Sequence, residues 1–95
     1  MEDEFTTIQL LEATHTFPCA YRFKVIGATG DHFVGRALAA VRQEFPEGTE
    51  PPFSTRTTAG GRHVCVTIEP VVESAVHVLL VYQRLRTLEG LVMML

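Results

Sequence analysis

Alternating apolar and polar residues mark the strands of this chain. A period of two with aromatic and β-branched residues is typical of a strand that buries one face. This alternation first occurs over residues 19–27, where Tyr21, Phe23 and Val25 share one face and the basic residues Arg22 and Lys24 share the other. It occurs again in residues 53–58 and 62–69, and glycines between these two segments form a turn. We therefore predict a continuous first strand over 19–27 and a hairpin from the two later segments.

Two segments have the spacing of amphipathic helices. Apolar residues recur every three or four positions over 34–45, after a turn in which Thr29 or Asp31 is the expected N-cap. A second apolar stripe covers 78–88, with Ser74 as its expected N-cap. Glycine or proline follows each stripe and ends it. The sequence thus predicts two helices, each with one apolar face.

The order of these elements predicts the fold. With a final strand over 91–95, the chain reads βαββαβ. Two helices on one face of a four-stranded antiparallel sheet bury both apolar stripes, which gives the α+β, ferredoxin-like plait. In that fold the first and third strands are central, and the other two lie at the edges. We expect a core of apolar side chains from both layers: Tyr21, Phe23, Val25, Leu38, Val41, Val64, Val66, Ile68, Val78, Tyr82 and Leu85.

Length and composition restrict the class of protein. The 95 residues are enough for one domain, and 46% of them are hydrophobic. We predict an acidic leader over 1–16, as a partly ordered tail or short helical turn, and a single domain over 17–95. No apolar run approaches the roughly 20 residues of a membrane span, and the acidic N-terminus is unlike a signal peptide. We therefore expect no membrane partner. Two cysteines do not make a disulfide framework, so we also expect a cytoplasmic protein with reduced thiols.

The net charge of −3 is unevenly distributed along the chain. Residues 1–18 contain four acidic residues and no lysine or arginine. The remaining residues contain all eight basic residues and seven acidic ones. The body of the protein is therefore nearly neutral and lacks the strongly basic patch of a nucleic-acid-binding protein. We expect no nucleic-acid partner.

His63 and Cys65 share one face of the predicted third strand. At ~3.3 Å per residue their side chains are roughly 6–7 Å apart, which is too far for the direct hydrogen bond of a nucleophile and its base. A metal site would need at least one more ligand, from His32 or His77. An acylphosphatase-like reaction needs an asparagine to orient water, and the chain contains none. We predict no enzymatic activity, no metal and no cofactor.

Several short segments, in order along the chain, are similar to one known family. Over roughly residues 8–95 the chain resembles the YbeD-like family of small bacterial proteins of unknown function. The resemblance implies a fold like that of ACT-type regulatory domains, which sense amino acids, and a regulatory or binding role with no established activity. The chain departs from the family at His63 and Cys65, where members tend to carry an aromatic residue and a serine. The similar segments are Phe17-Pro18-Cys19, Tyr21-x-Phe23-Lys24-Val25-Ile26-Gly27, Ser54, Gly61, Val64-x-Val66-Thr67, Tyr82-x-x-Leu85 and Val92-Met93-Met94-Leu95.

Two functions follow from these observations as hypotheses. The first is a small regulatory or adaptor module that acts through protein contacts. The second is an ACT-type sensor of small molecules such as amino acids, since backbone N–H groups at a helix N-terminus hold carboxylates well. The sensor site would consist of Thr29, Gly30, Asp31 and His32. The partner face of the adaptor would lie on the uncovered side of the sheet and along the final strand: Arg22, Lys24, Ile26, Arg56, His63, Cys65, Leu91, Met93 and Leu95.

The final strand is apolar on both faces, with Leu91, Met93 and Leu95 on one of them. Helices on one side of the sheet leave part of this strand exposed. As an edge strand it also lacks the charged residues or proline that commonly prevent pairing with another chain. An exposed apolar patch of this kind commonly marks a contact site. We expect a second copy or another protein to cover it, or else the leader. The uncovered side of the sheet, with Arg22 and Lys24, is cationic, and the leader is acidic. A further expectation is that either the leader folds over this cationic side or an acidic partner binds there. The leader residues expected to cover the final strand are Phe5, Ile8 and Leu11.

Overall fold

The computed structural model describes residues 3–95, which form three helices and six strands. The first two residues of the predicted leader lie outside the described residues. Within residues 3–95 no helix combines the length and the apolar character that crossing a membrane requires. In chain order the elements are α1 (Glu4–Thr14), β1 (Cys19–Ala20), β2 (Phe23–Ala28), α2 (Phe33–Arg42), β3 (Phe53–Thr57), β4 (His63–Ile68), β5 (Val71–Val72), α3 (Ala75–Arg86) and β6 (Leu91–Met94).

Four strands form the main sheet in the order β3-β4-β2-β6, and each neighbouring pair is antiparallel. The predicted first and third strands, β2 and β4, are therefore central, as the sequence indicates. The helices α2 and α3 pack against each other and cover one face of this sheet. The fold is the α+β, ferredoxin-like plait. A separate two-stranded ladder joins β1 to β5.

The core lies between this face of the sheet and the two helices. Phe23 and Val66 from the central strands are completely buried there, and so is Val78 from α3. The predicted core residues are buried as expected, except for the two tyrosines. Tyr21 and Tyr82 are half-buried, and their hydroxyl oxygens lie 3.2 Å apart, within hydrogen-bond distance. Burial, with a smaller contribution from this hydrogen bond, raises the pKa of the Tyr82 hydroxyl.

The predicted first strand is interrupted. β1 ends at Ala20 and pairs with β5, while β2 begins only at Phe23. Between them, the backbone N–H of Tyr21 donates to the carbonyl of Pro70 over 2.9 Å. Because proline has no N–H, the ladder between β4 and β2 ends before Pro70, and the following residues pair with β1 instead. The prediction of one continuous strand over 19–27 is wrong at this point.

The start of α2 differs from the prediction. Its N-cap is His32, which has a left-handed backbone with φ of 57° and makes no side-chain cap hydrogen bond. The hydroxyl of Thr29 donates to the carbonyl of Gly61 over 2.7 Å. Thr29 and Asp31 are therefore not the cap. The helix also ends at Arg42, so the last residue of the predicted apolar stripe lies outside it.

The start of α3 agrees with the prediction, since Ser74 accepts a hydrogen bond from the backbone N–H of His77 over 3.1 Å. The His77 ring accepts at Nδ1 from the backbone N–H of Glu73 over 3.0 Å. Its hydrogen therefore lies on Nε2, which donates to the carbonyl of Glu44 over 2.7 Å. The ring also packs on Phe45, with a centroid distance of 4.5 Å. His77 thus ties the start of α3 to the segment that follows α2.

The leader contains α1, which is longer than the short helical turn predicted for it. Asp3 caps this helix by accepting from the backbone N–H of Thr6 over 2.8 Å, and that bond lowers the pKa of the Asp3 carboxyl. The helix lies against α3, where the Gln83 amide donates to the Glu4 carboxylate over 3.2 Å. It is therefore on the helix side of the sheet. The expectation that the leader folds over the cationic side is wrong.

The strand β6 contains a bulge opposite β2. Met93 pairs with Ile26 and Leu91 pairs with Gly27, so Val92 is an extra residue between the two pairs. The bulge allows Leu91 to pack against the core. The prediction that Leu91 shares a face with Met93 and Leu95 is therefore wrong.

Apolar side chains remain exposed at the end of β6. Val92, Met93 and Leu95 have exposed fractions of 58%, 50% and 57%. Of the leader residues expected to cover them, Phe5 is 69% exposed and Leu11 packs against the core instead. The leader therefore leaves this patch uncovered, because α1 docks on α3.

Candidate functional site

The side of the main sheet away from α2 and α3, which we call the open face, collects side chains from all four strands. The pairing of the strands places these side chains in rows across the sheet. Most of the residues predicted for the partner face come together here. The first row contains Ser54, Thr67 and Lys24, the second Arg56, Cys65, Ile26 and Met93, and the third His63 and Ala28.

Two basic side chains on the open face have no acidic partner among the described residues. Among residues 3–95, the ion pairs within 4.0 Å do not include Lys24 or Arg56. The two residues line a depression of about 250 Å³, together with Ser54 and Thr67. The depression therefore offers two positive charges and two hydroxyl groups to a carboxylate.

Apolar side chains border these cations on the β6 side. Ile26 is half-buried between Cys65 and Met93, which are its neighbours in the row. Leu95 donates its backbone N–H to the carbonyl of Lys24 over 2.8 Å, so it lies beside that lysine. The open face thus joins a positive half on β3, β4 and β2 to an apolar half on β2 and β6.

Arg22 lies at the margin of the open face and is already paired. Its guanidinium lies 3.5 Å from the carboxylate of Glu69, and both side chains are exposed. An exposed pair of this kind contributes at most about 1 kcal/mol to stability. Because Glu69 offsets the charge of Arg22, the positive charge of this surface comes mainly from Lys24 and Arg56.

His63 and Cys65 lie on the open face, as predicted from their spacing. Cys65 is a half-buried free thiol in the row between Arg56 and Ile26. In the described part of the chain, no group of three or more His, Cys, Asp or Glu side chains is placed to hold a metal ion. Among the described residues, His63 and Cys65 therefore lie on the open face without the additional side chain that a metal site would need.

The predicted small-molecule site, residues 29–32, lies between β2 and α2. Thr29, Gly30 and His32 line an open groove of about 350 Å³ beside β3, whereas Asp31 does not line it. Asp31 and His32 have φ angles of 53° and 57°, which are uncommon for residues other than glycine. Arg36 supports this conformation, since its Nε donates to the carbonyl of Asp31 over 2.9 Å. The loop is therefore held in one shape by its own contacts.

The sequence prediction of the partner face omitted three residues that line the depression, and two of them, Ser54 and Thr67, have their side chains on the open face. Alternation does place both side chains on the open face, but hydroxyl residues are common on exposed strands and carry no strong signal of their own. They become notable only because strand pairing sets both of them beside Lys24 and Arg56.

Comparison with known proteins identifies a family for the chain. Residues 12–95 match the family described as protein of unknown function (DUF493). The chain belongs to this family. A UPF0250 protein from Shewanella baltica is 34% identical to this DUF493 chain over 74 residues, which are 78% of the chain and 82% of that protein. A UPF0250 protein from Shewanella amazonensis is 32% identical over the same shares of the two chains.

A solved structure has the same fold. The solution structure of protein HP0495 from H. pylori matches the DUF493 chain with a TM-score of 0.62 and 19% identity, over 85% of each chain. These findings confirm the predicted resemblance to the YbeD-like family and the ferredoxin-like fold. The family is one of unknown function, so a role for the DUF493 chain has to come from its surfaces.

Proposed function

We propose that this protein is a non-enzymatic regulatory or adaptor module of the cytoplasm that binds another protein through the open face. One observation carries the proposal: the uncompensated cations Lys24 and Arg56 adjoin the apolar side chains of Ile26 and Met93. No helix within residues 3–95 covers this side of the sheet. Exposed apolar area beside unpaired charge is typical of a contact site.

The shape of the open face favours a protein segment over a small molecule. Its depression measures about 250 Å³, below the roughly 300–1,000 Å³ of most small-molecule pockets. The row from Arg56 to Met93 crosses all four strands, so a partner that engages both ends must reach across the whole width of the sheet. A suitable protein segment would place a carboxylate near Lys24 and Arg56 and an apolar side chain over Ile26. It would then contact both the positive half and the apolar half of the open face.

The charges predict how such binding responds to salt. Exposed charge pairs are screened as the Debye length falls from about 10 Å at 0.1 M salt to about 3 Å at 1 M salt. Charges at the rim of an interface act mainly on the association rate and on the choice of partner. Binding through Lys24 and Arg56 is therefore expected to weaken with salt, while the apolar contact at Ile26 and Met93 is expected to persist.

A second copy of the chain is another partner for the apolar end of β6. A two-fold contact brings the same patch of both copies together. Centred on the open face, it would bring Lys24 and Arg56 of both copies into one interface without acidic partners, which is unfavourable. Centred on Val92 and Leu95, it would bury apolar side chains without opposing these cations. Self-association is therefore proposed at the β6 end only.

The alternative function is ACT-type sensing of small molecules at residues 29–32. The observation that favours it is the groove of about 350 Å³, which has the size of a small ligand site. A ligand at 100 times its dissociation constant stabilises a protein by about 2.7 kcal/mol, so a thermal-shift screen with amino acids would detect it. The absence of any shift would contradict the sensor hypothesis.

The test of the main proposal is affinity capture from an extract of the native cells. The tagged protein is compared with a variant that carries Lys24→Glu and Arg56→Glu. A control variant carries Arg42→Glu and Arg84→Glu, the same charge change at two exposed arginines of α2 and α3. We expect one set of partner proteins for the wild type and the control, and its loss for the open-face variant. Equal capture by all three proteins would contradict the proposal.

A further inference from the structure

A second groove lies where α1, α3 and the end of β6 meet, on the opposite side of the sheet from the open face. Its volume is about 410 Å³, within the roughly 300–1,000 Å³ of small-molecule sites. The residues important here are Glu4 on α1, Leu79, Tyr82 and Arg86 on α3, and Met94 on β6. The groove does not include any residue of the loop at 29–32.

Part of the lining of this groove is apolar. Leu79 and Tyr82 lie on one face of α3, three positions apart, and Met94 faces them from β6. All three side chains are half-buried, so part of each is open to the groove. The Tyr82 phenol is neutral at physiological pH, since an ordinary tyrosine ionises only near pH 10. An apolar side chain of a ligand can therefore pack against this part of the lining.

The groove also carries one acidic and one basic side chain. Glu4 accepts a hydrogen bond from the neutral amide of Gln83 over 3.2 Å. Among residues 3–95, neither Glu4 nor Arg86 forms an ion pair within 4.0 Å. The two charges line the same groove without neutralising each other. The lining of the groove therefore includes one negative group, one positive group and several apolar side chains.

We propose that this groove binds a small zwitterion with an apolar side chain, of which an α-amino acid such as leucine or methionine is the simplest. Arg86 binds the carboxylate, since a guanidinium is well matched to that group. Glu4 binds the ammonium, and Leu79 and Met94 contact the side chain. A simple anion or a simple cation leaves one of the two protein charges unmatched. The groove shares only Leu95, at the chain's last position, with the residues assigned to the open face, and the proposal does not depend on the function proposed for that face.

The test is an NMR titration of the full chain with leucine, methionine and phenylalanine, following the backbone amide signals. We expect saturable shifts at Gln83, Arg86 and Met94. Two analogues of leucine serve as probes of charge: 4-methylpentanoate lacks the ammonium and 3-methylbutylamine lacks the carboxylate. Each is expected to bind at least about tenfold more weakly, because one charged hydrogen bond is lost.

Two outcomes of this titration would overturn the proposal. The first is the absence of saturable shifts at about 10 mM amino acid, a concentration that would fill most of a site with a millimolar dissociation constant. The second is a set of shifts confined to residues 29–32, which would place the ligand in the other groove.

A pair of arginine variants tests the role of the guanidinium. Arg86→Gln is expected to weaken leucine binding at least about tenfold. Arg84→Gln is the matched control, because it makes the same change on the same helix at a residue that pairs with Glu44 and does not line this groove. Thermal unfolding of both variants shows whether they remain folded. Equal loss of leucine affinity in the two variants, or no loss in Arg86→Gln, would overturn the assignment.

Discussion

The ring of Phe33, at the start of α2, lies directly against the backbone of Gly27 in β2. Phe33 is 2% exposed, and a Cβ atom at position 27 would overlap its ring carbons. Because glycine has no side chain, the helix approaches the central strand closely at this point. The guanidinium of Arg36 lies over the same ring, 5.7 Å from its centroid. This contact therefore sets the position of the loop between β2 and α2.

A Gly27→Ala variant tests this contact. Its added methyl group forces Phe33 to move, so we expect a loss of about 1–3 kcal/mol in the free energy of unfolding. Urea denaturation measures it. Gly35→Ala is the matched control, because Gly35 is an exposed residue of α2 where an added Cβ atom would have no neighbour within 4 Å. That control should gain about 0.5–1 kcal/mol, since alanine favours a helix. A similar response of both variants would contradict the account of Gly27.

The His77 ring predicts a second stability difference. His77→Ala removes two hydrogen bonds, to Glu73 and Glu44, and the packing on Phe45. We expect a loss of about 1–3 kcal/mol in the free energy of unfolding. His63→Ala, the same change on the open face, is expected to cost less than about 0.5 kcal/mol. Equal losses would mean that His77 does not connect α2 to α3 as described.

The raised pKa of the Tyr82 hydroxyl predicts a change at high pH. The folded state favours the neutral phenol, so this contribution to stability is present below about pH 10, the pKa in an unfolded chain. It is lost as the pH rises from there through the higher folded-state pKa. In a Tyr21→Phe variant Tyr82 is the only tyrosine, so phenolate absorbance reports on it alone. Because burial is the largest cause, we expect its midpoint above about 10 in the folded protein and near 10 in urea. Equal midpoints would contradict the burial of this group.

The main strands and their faces were predictable because each repeats its pattern over several residues. Val64 and Val66 alternate with His63 and Cys65, and that period fixes which side of β4 faces the core. The break after Ala20 was not predictable in the same way, because the alternation continues through it. The bulge at Val92 depends on pairing with β2, which a local pattern does not contain.

The open face was largely predictable, since it follows from strand parity and from the strand order of the fold. The docking of α1 was not predictable. Its apolar residues do not form a single stripe, and Phe5 and Leu10 remain exposed while Leu11 packs inward. The sequence therefore does not specify which surface the leader contacts. The N-cap of α2 was missed for a similar reason, because the backbone of His32 is set by tertiary contacts of the neighbouring residues.

Photo-crosslinking in living cells tests the proposed role of the open face most directly. The photoreactive residue p-benzoylphenylalanine replaces Ser54 on the open face and, as a control, Val76 on the exposed side of α3. We predict covalent adducts with another protein from position 54 and none from position 76. Those adducts should disappear when Lys24→Glu and Arg56→Glu are added. Adducts from position 76 alone, or equally from both positions, would contradict the account.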